Sequence, residues 1–130
     1  MIVIDTSALI AIVTNESAAA ACQAILEKSD TQIFISAATL TETLIVAGRK
    51  GCLPGLTKLI ERFPFTSIDV TEEFASRAAS AYARWGKGIH PASLNFGDCF
   101  AYALAEMLAC PLLYVGDDFA RTDVIYALTA

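Results

Sequence analysis

Residues 1–13, MIVIDTSALIAIV, decide the fold. Met1 to Ile4 read as a short buried strand, and the apolar run from Ala8 to Val13 reads as the body of a helix. Only Asp5, Thr6 and Ser7 separate them. A strand that passes to a helix within three residues is the start of a βαβ unit, and it leaves a carboxylate at the carboxyl end of the strand. Thr6 or Ser7 suffices to cap the helix, so capping alone does not account for Asp5.

The same alternation continues along the chain. IFI at 33–35 is strand-like and is preceded by a helical stretch, 17–28, and followed by another, 37–49. Leu53 to Arg62 reads as a helix, Phe65 to Ile68 as a short strand, and Glu72 to Arg84 as a helix opened by Thr71. After a loop containing Pro91 comes a helix from Phe96 to Leu108, then a strand from Leu112 to Val115, a Gly-Asp-Asp turn and a terminal segment. Short apolar strands alternating with helices predict a parallel sheet covered on both faces, an α/β fold. Ligands of such sheets sit outside the carboxyl ends of the strands.

Composition sets the limits. The 130 residues are expected to form a single domain, and at 55% hydrophobic and 18% charged they exclude a disordered chain. The apolar runs stop short of the roughly 20 residues of a membrane span, and the start lacks the flanks of a signal peptide, so a cytoplasmic protein with no membrane partner is expected. Four cysteines (Cys22, Cys52, Cys99 and Cys110) without a C-x-x-C pair, and a single histidine, predict free thiols and no structural zinc site. The net charge of −5 is the opposite of that of a generic nucleic-acid binder. Two local basic groups stand out against it: Arg49, Lys50, Lys58 and Arg62, and then Arg84, Lys87 and His90.

The acids at strand-to-helix junctions carry the chemistry. Asp5 follows the first strand, Glu42 lies in the helix after IFI, Asp98 lies in the first turn of FGDCFAYALAEML, and Asp117 and Asp118 follow LLYV. Each one taken alone has a structural use. Asp98 lies three residues after Asn95, and Glu42 three after Thr39, the spacing of a capping box, while Asp117 and Asp118 suit a turn. Gathered at one sheet edge they repel one another unless a cation sits among them, and hard oxygen donors without histidine or thiolate select Mg²⁺ or Mn²⁺. Such a site supports phosphoryl chemistry. On the helix after Asn95, Asp98, Ala101, Tyr102 and Ala105 share a face, with Tyr102 expected in the core and the alanines allowing close approach to the first strand.

Four stretches in register, IVIDTSAL, SAATLTETLIVAGRKG, GKGIHPASLNFGDCFAYALAE and PLLYVGDDFARTDV, resemble the PIN-domain ribonucleases, in particular the VapC toxins of toxin-antitoxin pairs. The resemblance implies a three-layer sandwich with a central parallel sheet flanked by helices. It also implies an Mg²⁺- or Mn²⁺-dependent endoribonuclease that cuts structured RNA such as tRNA or rRNA and so inhibits translation. Asp5, Glu42 and Asp98 match the family's metal-binding acids. Aligning the Asp-Phe pair of GDDF puts Gly116 where many PIN domains carry an acid, so Asp117 is taken as the fourth catalytic acid, with Asp118 and Asp123 as the other choices. Thr6 and Ser7 are expected beside the metal site or the substrate, and Arg49, Lys50, Arg84 and Lys87 are candidates for RNA contact. The implied partners are a VapB-like antitoxin, promoter DNA reached only through that antitoxin, and a second copy of the chain in a homodimer. A basic antitoxin tail would complement an acidic pocket.

Two other readings separate from this one by experiment. A non-cleaving RNA- or antitoxin-binding module would arrest growth with its acids mutated and RNA intact. A phospho-acceptor using Asp5 as nucleophile would want a D-x-D after the first strand, where this chain has Asp5 followed by Thr6 and Ser7.

Overall fold

The computed structural model describes residues 1–28 and 30–128. Its four strands are β1 (Ile2–Ile4), β2 (Ile33–Ser36), β3 (Phe65–Ile68) and β4 (Leu112–Leu113), and they form one parallel sheet in the order β3-β2-β1-β4. The helices are α1 (Thr6–Val13), α2 (Ala19–Leu26), α3 (Ala37–Arg49), α4 (Leu53–Arg62), α5 (Glu72–Trp85) and α6 (Phe96–Leu108). The expected α/β class and the parallel sheet between helical layers are what the structure has.

The period-two alternation of β1 sorts its side chains between two cores. Ile2 and Ile4 join Leu9, Ile33 and Leu56 in one buried cluster, under α1, α2 and α4. Val3 joins Phe74, Tyr102, Leu104 and Leu112 in the other, under α5 and α6. Each such aliphatic side chain, fully withdrawn from water, contributes about 1.5–3 kcal/mol. With both faces covered, the edges are where a ligand is left to bind.

Strand order puts the site at one place on that edge. From β1 the chain crosses to β2 on one side, while β4 arrives on the other, so the connections diverge beyond the carboxyl ends of β1 and β4. The β1–β4 ladder ends with the Asp5 amide donating to the Leu113 carbonyl at 3.0 Å. Strand β4 is shorter than its apolar run LLYV predicted, because the Val115 amide turns to the Ser7 hydroxyl, 3.0 Å away, instead of extending the ladder. The terminal segment runs beside β4: the Leu112 amide donates to the Ile125 carbonyl at 2.9 Å, and the Ala127 amide to the Leu112 carbonyl at 3.0 Å.

Other expectations hold or shift in detail. Cys22, Cys99 and Cys110 are buried free thiols, and Cys52 is half-buried. Tyr102 is a core residue whose hydroxyl donates to Asp123. No helix among the described residues is long and apolar enough to cross a membrane.

Candidate active site

Asp5, Glu42 and Asp98 meet in one cleft of about 340 Å³, which Thr6, Ser7 and Asp118 also line. Asp5 is the N-cap of α1: its backbone is extended, and its Oδ2 accepts the Ser7 amide at 3.0 Å and the Ser7 hydroxyl at 2.7 Å. This corrects the expectation that Thr6 or Ser7 would cap the helix. Their hydroxyls have other partners. Ser7 Oγ also accepts the Val115 amide, so it ties Asp5 to the end of β4. Thr6 Oγ1 donates to Glu42 Oε1 at 2.7 Å and stands 2.9 Å from Thr43 Oγ1, which lies 2.8 Å from the Thr39 carbonyl.

Glu42 is thus held from α1 rather than by its own helix. The capping box expected from the Thr39–Glu42 spacing does not form, because α3 starts earlier, with Ser36 as the cap accepting the Ala38 amide at 3.1 Å. The equivalent spacing at α6 does form a capping box. Asn95 Oδ1 accepts the Asp98 amide at 2.8 Å, and Asp98 Oδ2 accepts the Asn95 amide at 3.0 Å. Asp98 therefore has a structural role, and yet it also lines the cleft.

Electrostatics separate Asp5 and Asp98 from ordinary surface acids. Asp5 is 3% exposed and Asp98 7%. Burial raises the Asp5 carboxyl from 3.8 to about 6, against the lowering effect of its hydrogen bonds to Ser7, and Glu42 adds to the rise. Burial likewise raises Asp98 from 3.8 to about 7; its bond to Asn95 opposes this, while Asp5, Asp118 and Glu42 add repulsion. Asp5 Oδ1 is buried without a hydrogen-bond partner. An orphaned carboxylate oxygen beside a second acid that feels its charge is a donor set wanting a cation, and oxygen donors suit a hard divalent ion. Among the described residues, no three His, Cys, Asp or Glu side chains already stand grouped as a metal cage. The fit to a cation rests on Asp5 and Asp98, with Glu42 turned toward Thr6.

The turn after β4 brings Asp118 to the cleft and leaves Asp117 out of its lining. Gly116, at φ +102°, reverses the chain there, and the Asp117 carbonyl accepts the Ala120 amide at 3.2 Å in the turn that follows. Asp123 lies elsewhere, bonded to Tyr102 and to Arg84. Among the basic candidates, Arg49 and Lys50 flank Val46, which borders the acidic cleft. Arg84 pairs with Asp123 at 3.1 Å and lies over the Trp85 ring, and Lys87 borders a separate apolar groove between α5 and α6. The structure does not bring these two to the acids. Glu16, which does not follow a strand and so is not among the acids expected from the sequence, lines the cleft as well. Its signal was Asn15, a residue tolerant of left-handed backbone, which takes φ 53° and turns the chain back after α1.

Comparison with known proteins bears on the family and the fold. The family model described as PIN domain matches residues 2–125. The chain is 38% identical over 125 residues to Ribonuclease VapC30 of Mycobacterium tuberculosis, covering 94% of this chain and 95% of that one. Among solved structures, Mycobacterium tuberculosis VapC20, described as a sarcin-ricin loop cleaving toxin, superposes with a TM-score of 0.76 at 14% identity, covering 96% of this chain and 97% of that one. VapBC2 from Rickettsia felis, bound to a DNA fragment from its promoter, gives 0.74 at 16%, covering 97% and 96%. At such identities the structural likeness is one of fold.

Proposed function

This chain belongs to the PIN-domain family, and from that premise we propose that it is a VapC-type endoribonuclease toxin that hydrolyses a phosphodiester of structured RNA with a bound Mg²⁺ or Mn²⁺. The observation that carries the reading is the pair Asp5 and Asp98. Both are buried at the carboxyl edge of the sheet, both hold protons too tightly for free carboxylates, and Asp5 keeps an oxygen without a partner.

Asp5 and Asp98 would hold the cation, and Glu42 is the third candidate ligand. When bound, the metal supplies positive charge that favours a hydroxide nucleophile and offsets charge on the leaving oxygen. The chain's own residues do the rest. Ser7 fixes Asp5 by binding Oδ2 and leaves Oδ1 for the cleft. Asn95 fixes Asp98 through the capping box, and Thr6 orients Glu42. Asp118 serves as the fourth acid in place of Asp117, since it is the one lining the cleft. Arg49 and Lys50, which line a hollow with Val46 at the border of that cleft, are the candidates to hold RNA phosphates.

In this reading a VapB-like antitoxin is the protein partner in the cytoplasm, and promoter DNA is reached through it. The VapBC2 complex with promoter DNA supports that assignment. The chain acts as a homodimer, and the exposed Phe96 beside the apolar groove of α5 and α6 supports a self-contact there. The deciding experiment is induction of the wild-type protein or Asp5→Asn in cells, with end-mapping of total RNA. Arrest with new discrete ends only for the wild type supports the nuclease; arrest by both with no new ends replaces it with a non-cleaving binding module.

A further inference from the structure

Gly97 is the second residue of α6, next to Asp98 and inside the helix. A methyl group built on its α-carbon would overlap Glu42 Oε2 and lie 2.7 Å from Glu42 Cδ. Nothing in the local backbone calls for glycine there. The position is helical, where alanine is the better residue, so a glycine gives up helix stability at this point. What the missing side chain leaves is room for a carboxylate. On its other side, Glu42 is gripped by the Thr6 hydroxyl at 2.7 Å. Glu42 is thus confined between a hydroxyl from α1 and a bare α-carbon of α6.

We infer that Gly97 is a positioning residue for Glu42: its lack of a side chain lets the Glu42 carboxylate lie against the first turn of α6, beside Asp98 and at the wall of the cleft. The inference rests on the reading of the cleft as a ribonuclease centre, and it adds a residue that touches neither metal nor substrate. The obstacle a methyl group would meet is the far end of a flexible side chain, not the backbone. The protein with Gly97→Ala therefore folds, and the displacement falls on Glu42. Moved off Gly97, the carboxylate gives up either its bond to Thr6 or its place beside Asp98.

The test is a double-mutant cycle on the purified full-length chain, comparing wild type, Gly97→Ala, Glu42→Asp and the double variant. Three quantities are read: melting temperature, Mn²⁺ binding by calorimetry, and the rate of appearance of new ends in total bacterial RNA. Gly97→Ala is expected to melt no lower than wild type, yet to cleave about tenfold more slowly or worse, and to bind Mn²⁺ more weakly. In the Glu42→Asp background the shorter side chain no longer reaches the α-carbon of residue 97. Adding Gly97→Ala there is expected to change Mn²⁺ affinity and cleavage by less than about twofold. Equal losses in both backgrounds, no loss in either, or a clearly lower melting temperature for Gly97→Ala would each overturn the inference. Asp98→Asn, assayed in parallel, tests the premise: if it cleaves at the wild-type rate, the reading of the cleft is at fault rather than the role of Gly97.

Discussion

Replacing Asp98 with asparagine should make the metal-free protein more stable, and by an amount that depends on pH. The Asp98 carboxyl rises from 3.8 to about 7 on folding, so the folded chain holds a proton that the unfolded chain releases. Stability then falls as pH rises between these two values, because the unfolded state is the one that ionises readily. The full rise corresponds to about 4 kcal/mol above pH 7. The carboxyl borders a cleft open to water, and solvent screening reduces this to about 2 kcal/mol. Asparagine keeps the shape and an oxygen that accepts the Asn95 amide, and it removes the charge. In chelator at pH 8, Asp98→Asn should therefore melt about 6–10 °C above wild type for a chain of this size. The gain should shrink to a small fraction of this by pH 4, just above the unfolded value of 3.8, and vanish only below that value, where the wild-type carboxyl is protonated in both states. Calorimetry from pH 4 to 8 reads both quantities. Adding Mn²⁺ at pH 8 should raise the wild type and leave the variant behind. Equal melting temperatures at pH 8, or a gain that does not change with pH, would refute the view that Asp98 is a destabilised acid awaiting a cation.

Two further outcomes follow from the site. Asp118→Asn should lose most of the cleavage rate and lower the Asp98 pKa, whereas Asp117→Asn should leave both unchanged, as read by end-mapping and by carboxyl titration in NMR; the reverse pattern would return the fourth acid to Asp117. Ser7→Ala strands the Val115 amide and removes a bond that eases ionisation of Asp5. It should cost about 1–3 kcal/mol in denaturant melts and move the acidic limb of the cleavage profile to higher pH, and an unshifted profile would deny Ser7 its hold on Asp5.

The fold was legible because its signals are local. The switch from period two to helical period at Asp5, and the polar caps Thr71 and Asn95, mark most elements within a residue or two. The site was legible as a set of acids at strand ends, but not in its wiring. Sequence spacing cannot tell that Ser36 rather than Thr39 starts α3, and that start frees Glu42 to reach Thr6 across 36 positions. Nor can it tell which of Asp117 and Asp118 lines the cleft, since that depends on the path of the turn after β4, where Gly116 takes φ +102°. Arg84 read as an available cation because its partner, Asp123, lies 39 residues away. The length of β4 failed for the same reason: Val115 looks like strand, but a side chain from residue 7 takes its amide.

The ties between Asp5 and β4 also set an order of assembly. The Asp5 amide waits for the Leu113 carbonyl, and the Ser7 hydroxyl that orients the Asp5 carboxylate waits for the Val115 amide. Each contact joins residues 108 positions apart, and contacts of such long sequence separation are slow to close. Synthesis delivers the N-terminal part first, so a growing chain carries Asp5 long before it can be aimed. Asp5 is held in its place in the cleft only once the chain has been made as far as Val115. A chain interrupted before residue 112 therefore lacks both ties, and under the proposed function it is expected to leave RNA uncut.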